Sequence, residues 1–281
     1  MKFTTLLQRG KPVLAVVDGD AAVPLGTDLR AALSAGIDVI ELGRAALAGS
    51  SARLPLSEAQ LAPLVPDPGK TICLGLNYID HAKEGGRDKP EYPWFFFRGT
   101  SSLIAHGAAG WVPRVSSKFD YEAELAVVIG RRVPRHTKQA DALAYVFGYT
   151  CFNDLSVRDY QKRTPQWTIG KNFDATGALG PVLVTADELP PGAAGLRIEG
   201  RLNGQVMQSA NTRDMLFGVA ETVALLAEVL TLEPGDVIAM GTPAGVGQAR
   251  TPPVWLKAGD RFEVEIEGIG LLSTPIANEP A

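Results

Sequence analysis

The segment Asp120-Tyr-Glu122-Ala-Glu124-Leu-Ala-Val-Val-Ile129 limits what this chain can become more than any other stretch. Side chains alternate across a strand, which puts Asp120, Glu122 and Glu124 on one face. Residues 125–129 are apolar on both faces, so the same strand runs directly into an interior. Carboxylates at that entrance lie towards low dielectric, which costs several kcal/mol per unpaired charge. A row of acids on a solvated edge strand is the plain alternative. A hard divalent cation accounts better for the apolar continuation, because Mg²⁺ or Ca²⁺ prefers oxygen donors. Three His and two Cys, in no cluster, leave Zn²⁺ a poor candidate.

A third carboxylate, Asp154, follows the apolar stretch 144–152. Alone it reads as the N-cap of the next helix; beside the glutamates it reads as a ligand, and the two roles are compatible. His81 and Glu84 sit three apart in Asn77-Tyr-Ile-Asp-His81-Ala-Lys-Glu84-Gly85-Gly86, on one face if the segment is helical. A carboxylate beside an imidazole fixes its tautomer and raises its basicity, as a general base requires. An exposed i, i+3 pair without function is the competing reading. Gly85-Gly86 and the polar stretch to Pro93 would serve as a hinge for a mobile cover. His106 and His136 have no such neighbours and read as structural or exposed.

The rest of the chain reads as α+β with β dominant. Residues 11–17 form an apolar strand ending in an Asp18-Gly19 turn, and Thr27-Asp28 caps a helical pattern, with a second helical stretch running to Ala46. Pro63-Leu-Val-Pro-Asp-Pro-Gly69 suits neither helix nor central strand and divides a small N-terminal α+β domain, 1–66, from the domain 67–281. Turn-bounded apolar strands follow at 72–74, 94–97, 125–129, 182–185, 237–240 and 262–266, with an Asn203-Gly204 hairpin and one amphipathic helix over 216–230.

Charge and leader signals narrow the class. The net charge is −4 with no Lys/Arg cluster, which argues against nucleic-acid and anionic-membrane partners. No apolar run reaches the roughly 20 residues of a membrane span, and the first residues lack a secretory pattern. Cys73 and Cys151 lie in apolar stretches and read as reduced core thiols, so a cytoplasmic protein is expected.

Two glycine-flanked elements complete the candidates. Lys171, in Gly170-Lys-Asn-Phe-Asp174, is a surface lysine by default, or a cation that balances an acid substrate or a developing enolate. Gly241-Thr242-Pro-Ala-Gly245-Val-Gly247 lacks the ending of a phosphate loop, so a nucleotide site is not expected. It reads as a structural turn, or as one whose backbone N–H groups and Thr242 hydroxyl hold a carboxylate.

Together these segments resemble the fumarylacetoacetate hydrolase superfamily. The resemblance spans roughly residues 70–276. It rests on Gly75-Leu-Asn-Tyr78 with His81 and Glu84, residues 120–130, Asn153-Asp-Leu-Ser-Val-Arg-Asp159 and Trp167-Thr-Ile-Gly-Lys-Asn-Phe-Asp174. Gly180-Pro181, Leu202-Asn-Gly204, Pro234-Gly-Asp236 and Gly241-Thr-Pro-Ala-Gly245 continue it in the same order. The resemblance implies a mixed β-roll, assembled as a homodimer. It further implies that Glu122, Glu124 and Asp154 hold Mg²⁺ or Mn²⁺, that His81 and Glu84 form a water-activating dyad on a lid, and that Lys171 faces the substrate. Thr242 and the Gly241 backbone would hold a carboxylate. Many members carry Lys-Pro where this chain has Arg98-Gly99. An Arg fork there would hold a substrate carboxylate differently from a Lys, or change nothing if the position is peripheral.

The implied activity is cleavage of a C–C bond in a small 2-oxo acid of the acylpyruvate type, in catabolism of aromatic-ring cleavage products. Isomerisation of a 2-oxo/2-hydroxy-diene diacid and decarboxylation of an oxaloacetate-type acid are the alternatives at the same site.

Overall fold

The computed structural model describes residues 1–281 apart from 50, 51, 85, 87, 89 and 281. Its centre is the strand Ala123–Ile129, in which all seven residues are buried. Leu125, Val127 and Ile129 enter one core and Ala126 and Val128 the other, so an uninterrupted apolar run here means a strand covered on both faces. It pairs antiparallel with Val146–Asp154 on one side and Val237–Ala239 on the other. Beyond Val237–Ala239 come Thr71–Gly75, parallel, and Trp94–Arg98 at the edge.

On the other flank Val146–Asp154 pairs with Gly177–Thr185, and that strand takes up Lys2–Gln8 with the register Lys2↔Val184 and Phe3↔Leu183. Lys11–Asp18, Ala21–Pro24 and Leu54–Pro55 extend the same sheet, which has eleven strands among the described residues. A second, five-stranded sheet runs Gln205–Asn211, Arg197–Leu202, Arg261–Ile266, Gly270–Asn278 and Gly110–Val112. Ile198, Phe262, Val264 and Leu272 of that sheet pack against Leu125, Val127, Tyr149 and Cys151. The molecule is an α+β, sheet-dominated roll.

Local signals account for most elements. Asp28 caps the helix Leu29–Ser34 by accepting from the Ala31 amide at 2.8 Å. Asn203 and Gly204 both have positive φ, as the two-residue hairpin between Arg197–Leu202 and Gln205–Asn211 demands. The expected boundary at 66/67 falls in an irregular segment whose Leu64 and Val65 are buried. Across it the sheet is continuous, and one core joins Phe3, Leu14 and Leu29 to Cys73, Ala126 and Phe152. Both cysteines are free and buried. Among the described residues no helix is long and apolar enough to cross a membrane.

Candidate active site

The carboxylates meet because of strand register. Asn153 stands opposite Ala123, and the Asp154 amide donates to the Glu122 carbonyl at 3.0 Å, so Asp154 ends its strand beside Glu122. Glu124, one pleat further in, completes a group in which one carboxylate oxygen from each residue lies within 4.8 Å of the others, all three residues buried. Asp154 caps no helix; its oxygens are taken by Arg98 and Lys171. Asp120 stands outside this group, before the break in strand pairing at residues 121–122, and shares Arg158 with Glu122. It accepts from the amides of Tyr121, Gly247 and Gln248 and from Arg158 Nε at 2.7 Å.

Lys171 lies at the centre of this charge. Its ammonium donates to Glu122 Oε2 at 2.8 Å and to Asp154 Oδ2 at 2.7 Å. Gly170 is needed to seat it: a Cβ there would lie 2.4 Å from the Gln161 amide nitrogen, so only glycine lets Thr168–Lys171 pack on Arg158–Gln161. Burial opposes the lysine's charge, but Asp154 and Glu122 outweigh it and raise its pKa. Burial likewise opposes the Glu122 carboxylate, and Lys171 and Arg158 outweigh it, holding the group below the ordinary carboxylate range. For Glu124, burial and then the Asp154 and Glu122 charges push the pKa well up.

Glu124 supplies the test of whether a cation fits. Its Oε2 accepts from the Gly241 amide at 2.9 Å, while its Oε1 is shielded from solvent without a donor among the described residues. An orphaned carboxylate oxygen facing two further carboxylates, with no nitrogen or sulfur ligand in the group, suits a hard divalent cation.

Arg98 corrects an expectation. Placed provisionally as a substrate contact, it is fully buried behind Asp154, outside the cavity wall. It donates to Asp154 Oδ1 at 2.6 Å, to the Thr176 hydroxyl at 3.2 Å, and to the carbonyls of Leu155 and Thr176. Gly241 is corrected likewise. Its amide is spent on Glu124, and its φ of +85° is what aims that N–H at the carboxylates. Thr242 does line the cavity, with its hydroxyl donating to the Ala123 carbonyl at 3.0 Å and accepting from Gln208 at 2.7 Å.

His81 and Glu84 lie on the short helix Ile79–Glu84, His81 Nδ1 3.3 Å from Glu84 Oε2. The other oxygen of Glu84 accepts from the Gly245 amide at 2.9 Å, which ties this helix to the loop after Val237–Ala239. Of the expected hinge pair, Gly85 lies outside the described residues, and Gly86 has φ +68°. His106 accepts from the Ser273 amide and His136 is exposed, in keeping with their structural reading.

Beside these groups lies a cavity of about 730 Å³. His81, Glu84, Glu122, Arg158 and Lys171 form its polar end, and Trp94, Phe96 and Trp167 an aromatic wall. The Trp167 ring packs close against Gly75, where a Cβ would come within 2.0 Å of it. Two contributors escaped the sequence reading, Arg158 and Gln161. Arg158, which lines the cavity, reaches Glu122 Oε1 at 2.6 Å and Gln161 Oε1 at 3.0 Å, and its buried Nη2 has no acceptor among the described residues. The signal was present: Arg158 lies four residues after Asp154, one short turn from the carboxylates.

An imidazole–carboxylate pair facing buried carboxylates, a lysine and an underused guanidinium can move a proton at a carbon beside a carbonyl while holding an anion. Known proteins bear on this. A Bacillus subtilis protein named oxaloacetate tautomerase YisK is 44% identical over 225 residues, 79% of this chain and 74% of that protein. A fumarylacetoacetate hydrolase structure from Exiguobacterium antarcticum superposes with TM-score 0.85 at 33% identity, covering 99% of this chain and all of that one. A 5-carboxymethyl-2-hydroxymuconate delta-isomerase from Mycobacterium smegmatis does so with TM-score 0.80 at 29% identity over the full length of both. The family model described as the C-terminal region of fumarylacetoacetate (FAA) hydrolase matches residues 70–277. The chain belongs to the fumarylacetoacetate hydrolase family.

Proposed function

We propose that this protein interconverts the keto and enol forms of a small 2-oxo acid, with Mg²⁺ or Mn²⁺ held by Glu122, Glu124 and Asp154. The observation that carries this reading is the His81–Glu84 pair, 3.3 Å apart, on the wall of the cavity that also exposes Glu122 and Lys171. The similarity to oxaloacetate tautomerases adds to it and turns the order of the sequence expectations, with isomerisation ahead of C–C hydrolysis.

When bound, the cation would polarise the keto group as a Lewis acid. Glu84, anchored by the Gly245 amide, orients His81 through Nδ1, which leaves Nε2 to take the proton from the carbon beside the carbonyl and deliver it to the enolate oxygen, and to carry it back in the reverse direction. Arg158, on the cavity wall with its Nη2 lacking an acceptor among the described residues, would take a substrate carboxylate. Lys171 offsets negative charge that grows on the substrate oxygen. The helix Ile79–Glu84 and the aromatic wall limit water around the proton in transit.

Cleavage of an acylpyruvate is the second reading, favoured by a cavity of about 730 Å³, far roomier than a four-carbon acid needs. Enol loss from fresh oxaloacetate, followed by ultraviolet absorbance with Mg²⁺ and with chelator, tests the first. Metal-dependent acceleration supports it. Rates equal to buffer, together with pyruvate release from an acylpyruvate, would transfer the assignment to hydrolysis.

A further inference from the structure

Gln248 lies on the cavity wall beside Arg158, and its Oε1 is shielded from solvent without a donor among the described residues. The fold does not leave buried amides idle elsewhere. Gln208, fully buried, accepts from the Ala123 amide at 2.9 Å and donates to Thr242 Oγ1 and the Pro243 carbonyl. An orphaned acceptor in a cavity wall therefore points to a ligand.

The position of Gln248 is tightly set. Its amide donates to Asp120 Oδ2 at 3.0 Å, the oxygen that also takes Arg158 Nε at 2.7 Å. Gly247 donates to Asp120 Oδ1 at 2.7 Å, and a Cβ at 247 would lie 2.0 Å from the Val254 carbonyl oxygen. One buried carboxylate thus holds both the Arg158 guanidinium and the Gln248 backbone, and each residue carries an unfilled side-chain group, a donor on Arg158 and an acceptor on Gln248.

Arg158 and Lys171 offer donors, which suit carboxylate and carbonyl oxygens. A 2-oxo acid in its keto form presents acceptors only, so it leaves Gln248 Oε1 unpaired and buried against it. An enol, or an arm bearing a hydroxyl, supplies the missing O–H. We infer that Gln248 is a specificity-determining residue that accepts a hydrogen bond from a substrate hydroxyl, so that the cavity selects hydroxylated or enolic acids over their hydroxyl-free counterparts. This rests on the reading that a small 2-oxo acid binds in this cavity.

Succinate and malate differ by one hydroxyl and make a suitable pair. Their affinities for the Mg²⁺-loaded full chain would be measured by calorimetry in wild type, Gln248→Leu and Gln248→Glu. In Gln248→Leu the malate-over-succinate preference falls roughly tenfold, as expected when a site loses its partner for a ligand hydroxyl. Gln248→Glu keeps an acceptor and retains the preference, though both anions bind more weakly. Mg²⁺ affinity, measured alongside, stays unchanged in both variants. A preference that survives in Gln248→Leu, or vanishes in Gln248→Glu, overturns the inference while the site assignment stands. A wild-type protein that binds neither acid overturns the site assignment, and the inference with it.

Discussion

Single residues divide the work of holding charge in this site from the work of using it. Arg98 spends its Nε, Nη1 and Nη2 on protein oxygens and serves to aim Asp154. Arg98→Leu should therefore lower stability by about 3 kcal/mol, because it strands a buried carboxylate. It should also weaken Mg²⁺ binding by about tenfold through the loss of an orienting partner. Urea denaturation and metal titration read the two effects, and an unchanged metal affinity would show that Lys171 alone positions Asp154. Gly245 acts on Glu84 instead. At φ +106°, with a Cβ that would lie 2.1 Å from the Met207 carbonyl oxygen, it admits no side chain without moving the amide that holds Glu84. For Gly245→Ala we expect kcat to fall by about 100-fold, the low end of what general-base catalysis contributes, with Mg²⁺ affinity near wild type. The sequence showed the residue types at these places but not their bonds. Arg98 and Gly241 read as substrate contacts because nothing local reveals that distant partners, Asp154 and Glu124, already occupy them.

At the scale of elements, legibility followed whether a local rule or a tertiary contact sets the structure. The run 125–129 was readable as a strand covered on both faces, and Asn203-Gly204 as a hairpin, because pleat and turn chemistry are local. The place of Asp120, against Arg158 and the 247–248 amides, depends on partners 38 and more residues away and leaves no local trace. Asp260 shows how such long-range ties stabilise an element. It accepts from Asn203 at 3.0 Å and from the Lys257 amide at 2.9 Å, joining the hairpin to the strand Arg261–Ile266. Burial alone would raise its pKa, yet these bonds outweigh it and the pKa is lowered from 3.8. A depressed carboxyl contributes stability above its unfolded pKa and loses it as pH falls through the folded value. Asp260→Asn should cost about 2 kcal/mol at pH 7, and the gap to wild type should close as the pH drops below 3.8. A gap that stays constant in acid would mean the carboxylate's charge contributes nothing.

For the whole molecule, the roll brings a site together from segments far apart in sequence. The strand that carries Glu124, with Glu122 just before it, enters between two antiparallel neighbours, one ending in Asp154 and the other leading into the loop of Thr242 and Gly245. His81 and Glu84 reach the same cavity from a helix after Thr71–Gly75, on the far side of that second neighbour. The family was legible because its motifs recur in order along the chain. The continuity of the N-terminal strands with the main sheet was not, since a pairing such as Phe3↔Leu183 spans most of the chain. The central claim is metal-dependent proton transfer by His81. Deuterium incorporation at the carbon beside the keto group of oxaloacetate, followed by proton NMR in D₂O with Mg²⁺, tests it most directly in wild type and His81→Ala. We predict rapid exchange in wild type and buffer-level exchange in His81→Ala at unchanged Mg²⁺ affinity. Exchange in His81→Ala as fast as in wild type would contradict the account.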